Sequence, residues 1–389
     1  MRINGRRIHI AGSACRERPI DLLRYAHVLI EGLVDALARR GAQFVVDVVR
    51  EPLANESDPS SPSIIFDWTV LATAWARLAD GSVQPRGPRG RLITVVATDK
   101  TEDHVPETRR SLWRALRDAD AVDLRFAEPG WTSGGNRRMR QAQFGDVLIL
   151  LSGGEGVEHL ARLYAQAGKP VIPLDPDLGS SSNDGSGGAA RLAKRARAEP
   201  SRFVRLTDPG AGGTLFTNLS TRGGARPVEE VVAGVVRLLE ALTPPTAFYV
   251  RLLDTNAEEY QAVEDFFRRV VDPVVVEFDY QQMEMGRSSA THAWMNEAIF
   301  DNLHHAQLAI VDLTGSRPNC YMELGYAFGR GLPVLITAQE GTRVHFDAQM
   351  TEYYAWSSSG DDEERRAGFR EYWQRNIERP PLVKPREVL

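Results

Sequence analysis

Short apolar runs rich in Val and Ile alternate along the chain with stretches of helical period, the pattern of parallel strands joined by crossover helices. Two such series follow one another. The first predicts strands at Arg7 to Ala11, Gln43 to Val48, Leu92 to Ala97, Asp146 to Leu151 and Pro170 to Leu174, with helices such as Asp21 to Arg40 and Val157 to Gly168 between them. The stretch PVEEVVAGVVRLLEAL, Pro227 to Leu242, has the spacing of an amphipathic helix. Thr243, Pro244 and Pro245 end it, because two prolines remove two backbone donors and disfavour helix before them. The second series predicts strands at Thr246 to Leu252, Val274 to Phe278, Leu308 to Leu313 and Pro333 to Thr337, closed by an amphipathic helix within Gly360 to Arg379. The expected fold class is therefore α/β: two Rossmann-like domains, each a mainly parallel sheet flanked by helices. Their expected extents are 1–226 and 246–389, with 227–245 a connecting helix and Pro-Pro linker. The segment GSSSNDGSGG, Gly179 to Gly188, is too poor in apolar residues to pack and reads as a solvated loop or as a lid over a ligand.

Composition narrows the function classes. The chain has 389 residues, 42% hydrophobic and 25% charged, enough for two or three cores. A net charge of −5 makes no electrostatic case for a nucleic acid or an anionic membrane, so a small molecule is the expected partner. Cys15 and Cys320 are the only cysteines, and no CxxC or His-rich spacing points to a zinc site or a disulfide framework. No metal is expected. The opening MRINGRRIHIAGSA is basic without a long apolar core, and no run approaches the ~18 apolar residues of a membrane span. A cytoplasmic protein with an uncleaved start is the expectation.

Two stretches carry candidate chemistry. In AQLAIVDLTGSRPNCYMELGYAFGRGLPVLIT, Asp312, Leu313, Thr314 and Gly315 fall at the carboxyl end of a buried strand, where open α/β sheets bind ligands. Pro318 and Asn319 lead into a helix that carries Glu323 in its first turns, and the N–H groups of that helix start suit a phosphate or a sugar oxygen. A glycosidic bond to a base breaks through an oxocarbenium-like sugar, which a carboxylate can stabilise or trap. Glu323 suits either role, or else caps its helix or pairs with Arg330. Asn319 reads as a ligand contact or a turn residue. Arg251, in FYVRLLDTNAEEY, reads as a phosphate partner through bidentate hydrogen bonds or as a surface arginine. His292, His304 and His305 form no triad or metal pattern. The second stretch is LLSGGEGVEHLA, Leu150 to Ala161, in which Gly153, Gly154 and Gly156 permit a tight turn directly after a buried strand. Arg137, Arg138 and Arg140 upstream contact phosphates or solvate a helix face.

These residues also carry two resemblances. From Thr246 to Trp356 the chain resembles the nucleoside 2-deoxyribosyltransferase-like family and, more loosely, the TIR domains that cleave NAD. DLTGSRPNCYMELGYAFGRGLPVLI is similar to the pattern of a strand-ending aspartate, an Asn-containing loop and a Glu-Leu-Gly helix, and HFDAQMTEYYAW, His345 to Trp356, resembles the segment leading to the last strand. The resemblance implies Glu323 as catalytic carboxylate, with Asp312 and Asn319 orienting the sugar and Gly315 and Arg251 lining the substrate. Over residues 6 to 205, apart from Glu51 to Gly90, the chain resembles the SLOG superfamily, which includes LOG phosphoribohydrolases and STALD sensor domains, through NRRMRQAQFGDVLILLSGGEGVEHL. Arg137 and Asp146 occupy that family's arginine and aspartate places, and Gly12 and Ser13 look like its first phosphate loop. Where LOG hydrolases continue the glycine turn with Thr and acidic residues, this chain has Val157, Glu158 and His159, which favours a ligand-binding sensor.

Together the resemblances imply a nucleotide-responsive effector of bacterial antiviral defence. It would bind an ADP-ribose-type or other nucleotide ligand, self-associate, and cleave an N-glycosidic bond, in NAD before other substrates, with no cofactor required. Two alternatives stand beside it: a nucleoside deoxyribosyltransferase or hydrolase of salvage, and a non-enzymatic nucleotide-binding scaffold.

Overall fold

The computed structural model describes residues 1–127, 133–179, 188–221, 224, 226–284, 295–345 and 351–379. It divides into two compact units, Met1–Thr243 and Pro244–Leu389. The N-terminal unit holds β1 (Arg7–Ser13), α1 (Ile20–Ala38), β2 (Gln43–Val46), α2 (Asp67–Ala79), the short hairpin β3 (Arg86–Gly87) and β4 (Gly90–Arg91), β5 (Ile93–Ala97), α3 (Arg110–Asp118) and β6 (Val122–Phe126). It continues with α4 (Ser133–Phe144), β7 (Val147–Ser152), α5 (Glu155–Gln166), β8 (Val171–Leu174), α6 (Gly188–Ala198), α7 (Gly212–Thr217) and α8 (Val228–Ala241). Six strands form one sheet in the order β6-β5-β2-β1-β7-β8, and every pairing in it is parallel.

Alternation along β7 shows why its run is apolar throughout. Val147, Ile149 and Leu151 point into a core closed by α1, α2 and α8, while Leu148 and Leu150 point into a second core with Leu160, Ala161 and Tyr164 of α5. A strand covered on both faces has no polar side to display. The helix α8 packs on α1 and so belongs to the N-terminal unit. The strand β6 and the hairpin of β3 and β4 are absent from the sequence expectation: VDLRF does alternate apolar and charged residues, but it is a single short run without the continuous Val/Ile signal of the other strands, and RG/GR carries no apolar signal.

The C-terminal unit holds β9 (Thr246–Val250), α9 (Tyr260–Phe266), a π-helical turn at Phe267–Val271, α10 (Asp272–Glu277), β10 (Gln281–Glu284), α11 (Met295–His305), β11 (Leu308–Asp312), α12 (Pro318–Arg330), β12 (Val334–Gln339) and β13 (Tyr354–Trp356), then the closing helix Asp362–Asn376. Its five strands are ordered β10-β9-β11-β12-β13, again all parallel. The two parallel sheets with flanking helices are the expected α/β architecture.

The strand expected at Val274 to Phe278 is instead helix, and the strand at this place in the chain is β10. β-branched residues favour strands only where packing agrees. Here Val270, Val271, Val274 and Val275 recur at helical spacing, and all four are buried in the core that also takes Phe369, Tyr372 and Trp373 of the closing helix. The wider π turn lets the chain run on into Pro273. Of the other expectations, residues 180–187 of the polar loop, 346–350 of the His345 to Trp356 segment, and His292 lie outside the described residues.

Candidate functional site

Each sheet reverses its strand order once. In the N-terminal unit the chain steps from β1 outward through β2, β5 and β6 and then returns to the other side of β1 as β7, so a crevice opens at the carboxyl ends of β1 and β7. Gly12 lies flush against β7: a Cβ there would sit 1.9 Å from the Leu151 carbonyl oxygen. Its lack of a side chain is first a condition of strand contact. Ser152 and Gly153 turn the chain through left-handed backbone, at φ 52° and 83°. Ser152 is held there by its Oγ, which accepts from Leu178 N at 3.1 Å. Gly154 then caps α5, whose first turn faces the crevice with the positive end of its dipole.

Two arginines of α4 close this edge. Arg138 is half-buried and its guanidinium packs over Gly156, 2.9 Å from the place of a Cβ. Among the described residues it has no anionic partner within salt-bridge distance. Arg137 reaches the other way, its Nε 3.0 Å from Oδ2 of Asp47, which directly follows β2. Gln141 donates to the same carboxylate. Asp67, at the start of α2, accepts from Asp47 N at 3.1 Å. Burial pushes the Asp47 carboxyl up against the pull of Arg137, and burial together with the Asp47 charge pushes Asp67 up to about 7. The sequence reading omits Asp47, Asp67 and Gln141. A signal existed: Asp47 is the one charge in the run QFVVDVV, and Asp67 opens the apolar-periodic DWTVLATAWARLA. Asp146, by contrast, immediately precedes β7 at the amino ends of the strands, where it accepts from Arg7 N and pairs with Arg89 at 2.5 Å. Burial would raise its carboxyl, but Arg89, Arg6 and Lys169 hold it well below the usual range.

In the C-terminal unit the order reverses between β9 and β11. Asp312 ends β11 and is 1% exposed. Its Oδ1 accepts from Thr314 N at 3.1 Å, and its Oδ2 from Thr337 Oγ1 at 2.7 Å and Trp356 Nε1 at 2.9 Å. These donors tie β11, β12 and β13 together and occupy the carboxylate that the sequence reading made catalytic. Ala309 and Val311 alternate onto the face where α12 buries Cys320, Leu324 and Ala327. That packing fixes the helix and places Glu323 one turn beyond Cys320. Burial raises Glu323 to about 7, and burial with the charges of Glu323 and Asp312 raises the Cys320 thiol to about 12. Among the described residues no hydrogen bond or ion pair reaches the Glu323 carboxylate. The alternative pairing with Arg330 is not formed.

Gly315 sits in the turn Thr314–Ser316 after β11, and Asn319 is exposed in the first turn of α12. Arg251 does not wait for a phosphate. Its side chain is 5% exposed, with Nη1 2.5 Å from Glu264 Oε2 and its guanidinium 5.1 Å above the Phe267 ring. His304 Nδ1 lies 2.8 Å from Tyr326 Oη, a packing role. A groove of about 930 Å³ between α1, α2 and α8 contains no residue of either crevice. Among the described residues no helix is long and apolar enough to cross a membrane.

Comparison with known proteins separates the two units. Residues 3–239 match the family model described as ATP nucleosidase Cap17-like, N-terminal. ATP nucleosidase Cap17 of Escherichia coli strain KTE188 and ATP nucleosidase Cap17 of Escherichia coli are each 27% identical over 238 residues, 61% of this chain and 45% of theirs. The match thus spans less than half the length of those relatives. A solved α,α-trehalose-phosphate synthase from Burkholderia vietnamiensis covers 96% of this chain and 92% of its own at 12% identity, with a TM-score of 0.21, too low to carry an argument. Since the family match takes in every strand of the six-stranded sheet, the chain belongs to the Cap17-like N-terminal family.

Proposed function

We propose that this protein is a nucleotide-responsive N-glycosidase. The N-terminal unit binds a phosphate-bearing nucleotide over the crevice of β1 and β7, and the C-terminal unit cleaves the bond between a ribose C1′ and its base. The observation that carries the reading is Glu323: a half-buried carboxylate beside the β9/β11 reversal, raised to about 7, with no partner among the described residues. A group desolvated without a compensating partner costs stability, which is the mark of a residue kept for chemistry. The name of the relatives supports the class of bond, since a nucleosidase breaks an N-glycosidic bond.

NAD is the substrate this site suits. Its nicotinamide is a pyridinium and leaves as a neutral base once the C1′–N bond electrons return to the ring, so no proton donor is needed. Ionised Glu323 stabilises the oxocarbenium character of the ribose, water forms the new C1′–O bond, and its proton goes to solvent. Adenine in ATP leaves well only when protonated. Asp312, saturated by three donors, is no acid for that task.

The relatives' substrate favours a second reading, in which ATP loses adenine and protonated Glu323 is the donor. The test is incubation of the full chain with NAD and, separately, ATP, with and without ADP-ribose, followed by chromatography of released base. Nicotinamide release lost in Glu323→Gln is the expected result. Adenine release that survives Glu323→Gln would move the chemistry out of the C-terminal unit. No release of either base, with ligand binding intact, would leave a scaffold, and base exchange between deoxynucleosides a transferase.

A further inference from the structure

The anion site of the N-terminal unit contains a carboxylate pair that phosphate binding by itself does not require. Asp47 lies two residues beyond Val45, whose strand partner is His9, and Gly12 lies three beyond His9, so Asp47 stands beside the crevice on the neighbouring strand. Arg137 is drawn away from the crevice by Asp47, whereas the adjacent Arg138 packs over the start of α5. Asp67 is fixed against Asp47 through the Asp47 N–H. The start of α2 is pinned in turn by His27 of α1, one ring nitrogen bonded to Thr69 Oγ1 at 2.7 Å and the other to the Ser63 carbonyl at 2.8 Å. Asp47 therefore holds the guanidinium, and Asp67 stands against Asp47 with no ion pair of its own among the described residues, in a site whose other features suit an anion.

We propose that Asp47, Asp67 and Arg137 form a proton-coupled latch, in which an incoming phosphate takes Arg137 from Asp47 and the two carboxylates left facing each other take up a proton from solvent. This inference rests on the reading of the β1/β7 crevice as an anion site. A guanidinium exchanges a buried carboxylate for a phosphate at little loss, because both accept its forked donors. The pair that stays behind loses its counter-charge, and two close carboxylates cannot both remain ionised. The charged groups acting on the pair are Arg137 and Arg138 of α4, and Asp67 is already raised to about 7 before the exchange. His27 supplies no competing charge, as burial lowers its imidazole.

The test is calorimetric titration of the full chain with ADP-ribose, whose diphosphate has no ionisation between pH 6 and 8, in buffers of different ionisation heat. The expected result is net proton uptake at pH 7.5 and affinity that tightens by about 3- to 10-fold per unit fall in pH. Uptake should vanish in Asp67→Asn, which keeps the acceptor for Asp47 N and should still bind. Arg137→Gln should weaken binding by about 10- to 100-fold. Binding without proton uptake, or uptake unchanged in Asp67→Asn, would overturn the latch and leave the anion site standing. Failure of both ADP-ribose and pyrophosphate to bind would overturn the anion site and the latch with it.

Discussion

The two sheets place carboxylates at comparable points and use them in opposite ways. In each unit an aspartate stands at a strand end, Asp47 after β2 and Asp312 at the end of β11, and a second carboxylate, Asp67 or Glu323, is raised to about 7. In the N-terminal unit one member of the pair is bound to a cation: Arg137 sits on Asp47, and Asp67 accepts from the Asp47 backbone. In the C-terminal unit neutral donors from the turn after β11 and from two neighbouring strands consume Asp312, and Glu323 is left with no partner among the described residues. The difference teaches that a raised carboxyl is not yet a catalytic one. What matters is whether its oxygens are spent. On the proposed reading the N-terminal edge exchanges anions and the C-terminal edge reacts.

The comparison breaks most visibly at Glu323. Glu323→Gln keeps the shape and removes the charge, and should lower base release by about 10³-fold with the melting temperature unchanged or raised. A residual rate within about tenfold of wild type would make Glu323 as structural as Asp312. The pH profile sharpens the assignment. If ionised Glu323 meets the sugar, initial rates on NAD should climb about tenfold per unit below about pH 7 and level off above it. A rate that falls as pH rises through 7 would instead assign proton donation to the base, and with it the ATP reading.

Asp312→Ala should act on stability rather than chemistry. It strands the Thr314 N–H, the Thr337 hydroxyl and the Trp356 indole N–H, at a cost of about 3–5 kcal/mol, and should lower the melting temperature of the C-terminal unit by roughly 10 °C. Asp67 has the smallest effect, and its sign is distinctive. A carboxyl raised from 3.8 to about 7 in the folded state binds its proton more tightly there than in the unfolded chain, so the fold loses stability as pH rises from about 4 through about 7. Asp67→Asn removes that loss. Thermal melts should therefore show the variant a few degrees above wild type at about pH 8 and no higher than wild type at about pH 4.

Much of this is legible along the chain itself. Continuous apolar runs such as VLILLS and LAIVD announce strands covered on both faces, and the Pro-Pro pair after Leu242 announces the junction. Glu323 is legible because strand, loop and helix follow one another within a few residues, so local order is enough to bring it to a sheet edge. The failures share a cause. VVVEF reads as strand until the closing helix, some ninety residues later, supplies the core that makes it helix. Arg251 reads as a free cation until Glu264 and Phe267 come round to cover it.

The sequence by itself determined the α/β class, the parallel strands and the helix that carries Glu323, because periodicity and turn chemistry act between near neighbours. Only the tertiary structure decided which carboxylates are spent. Asp312 needs Thr337 and Trp356, and Asp47 needs Arg137, partners 25 to 90 positions away whose approach is set by strand order rather than by local pattern.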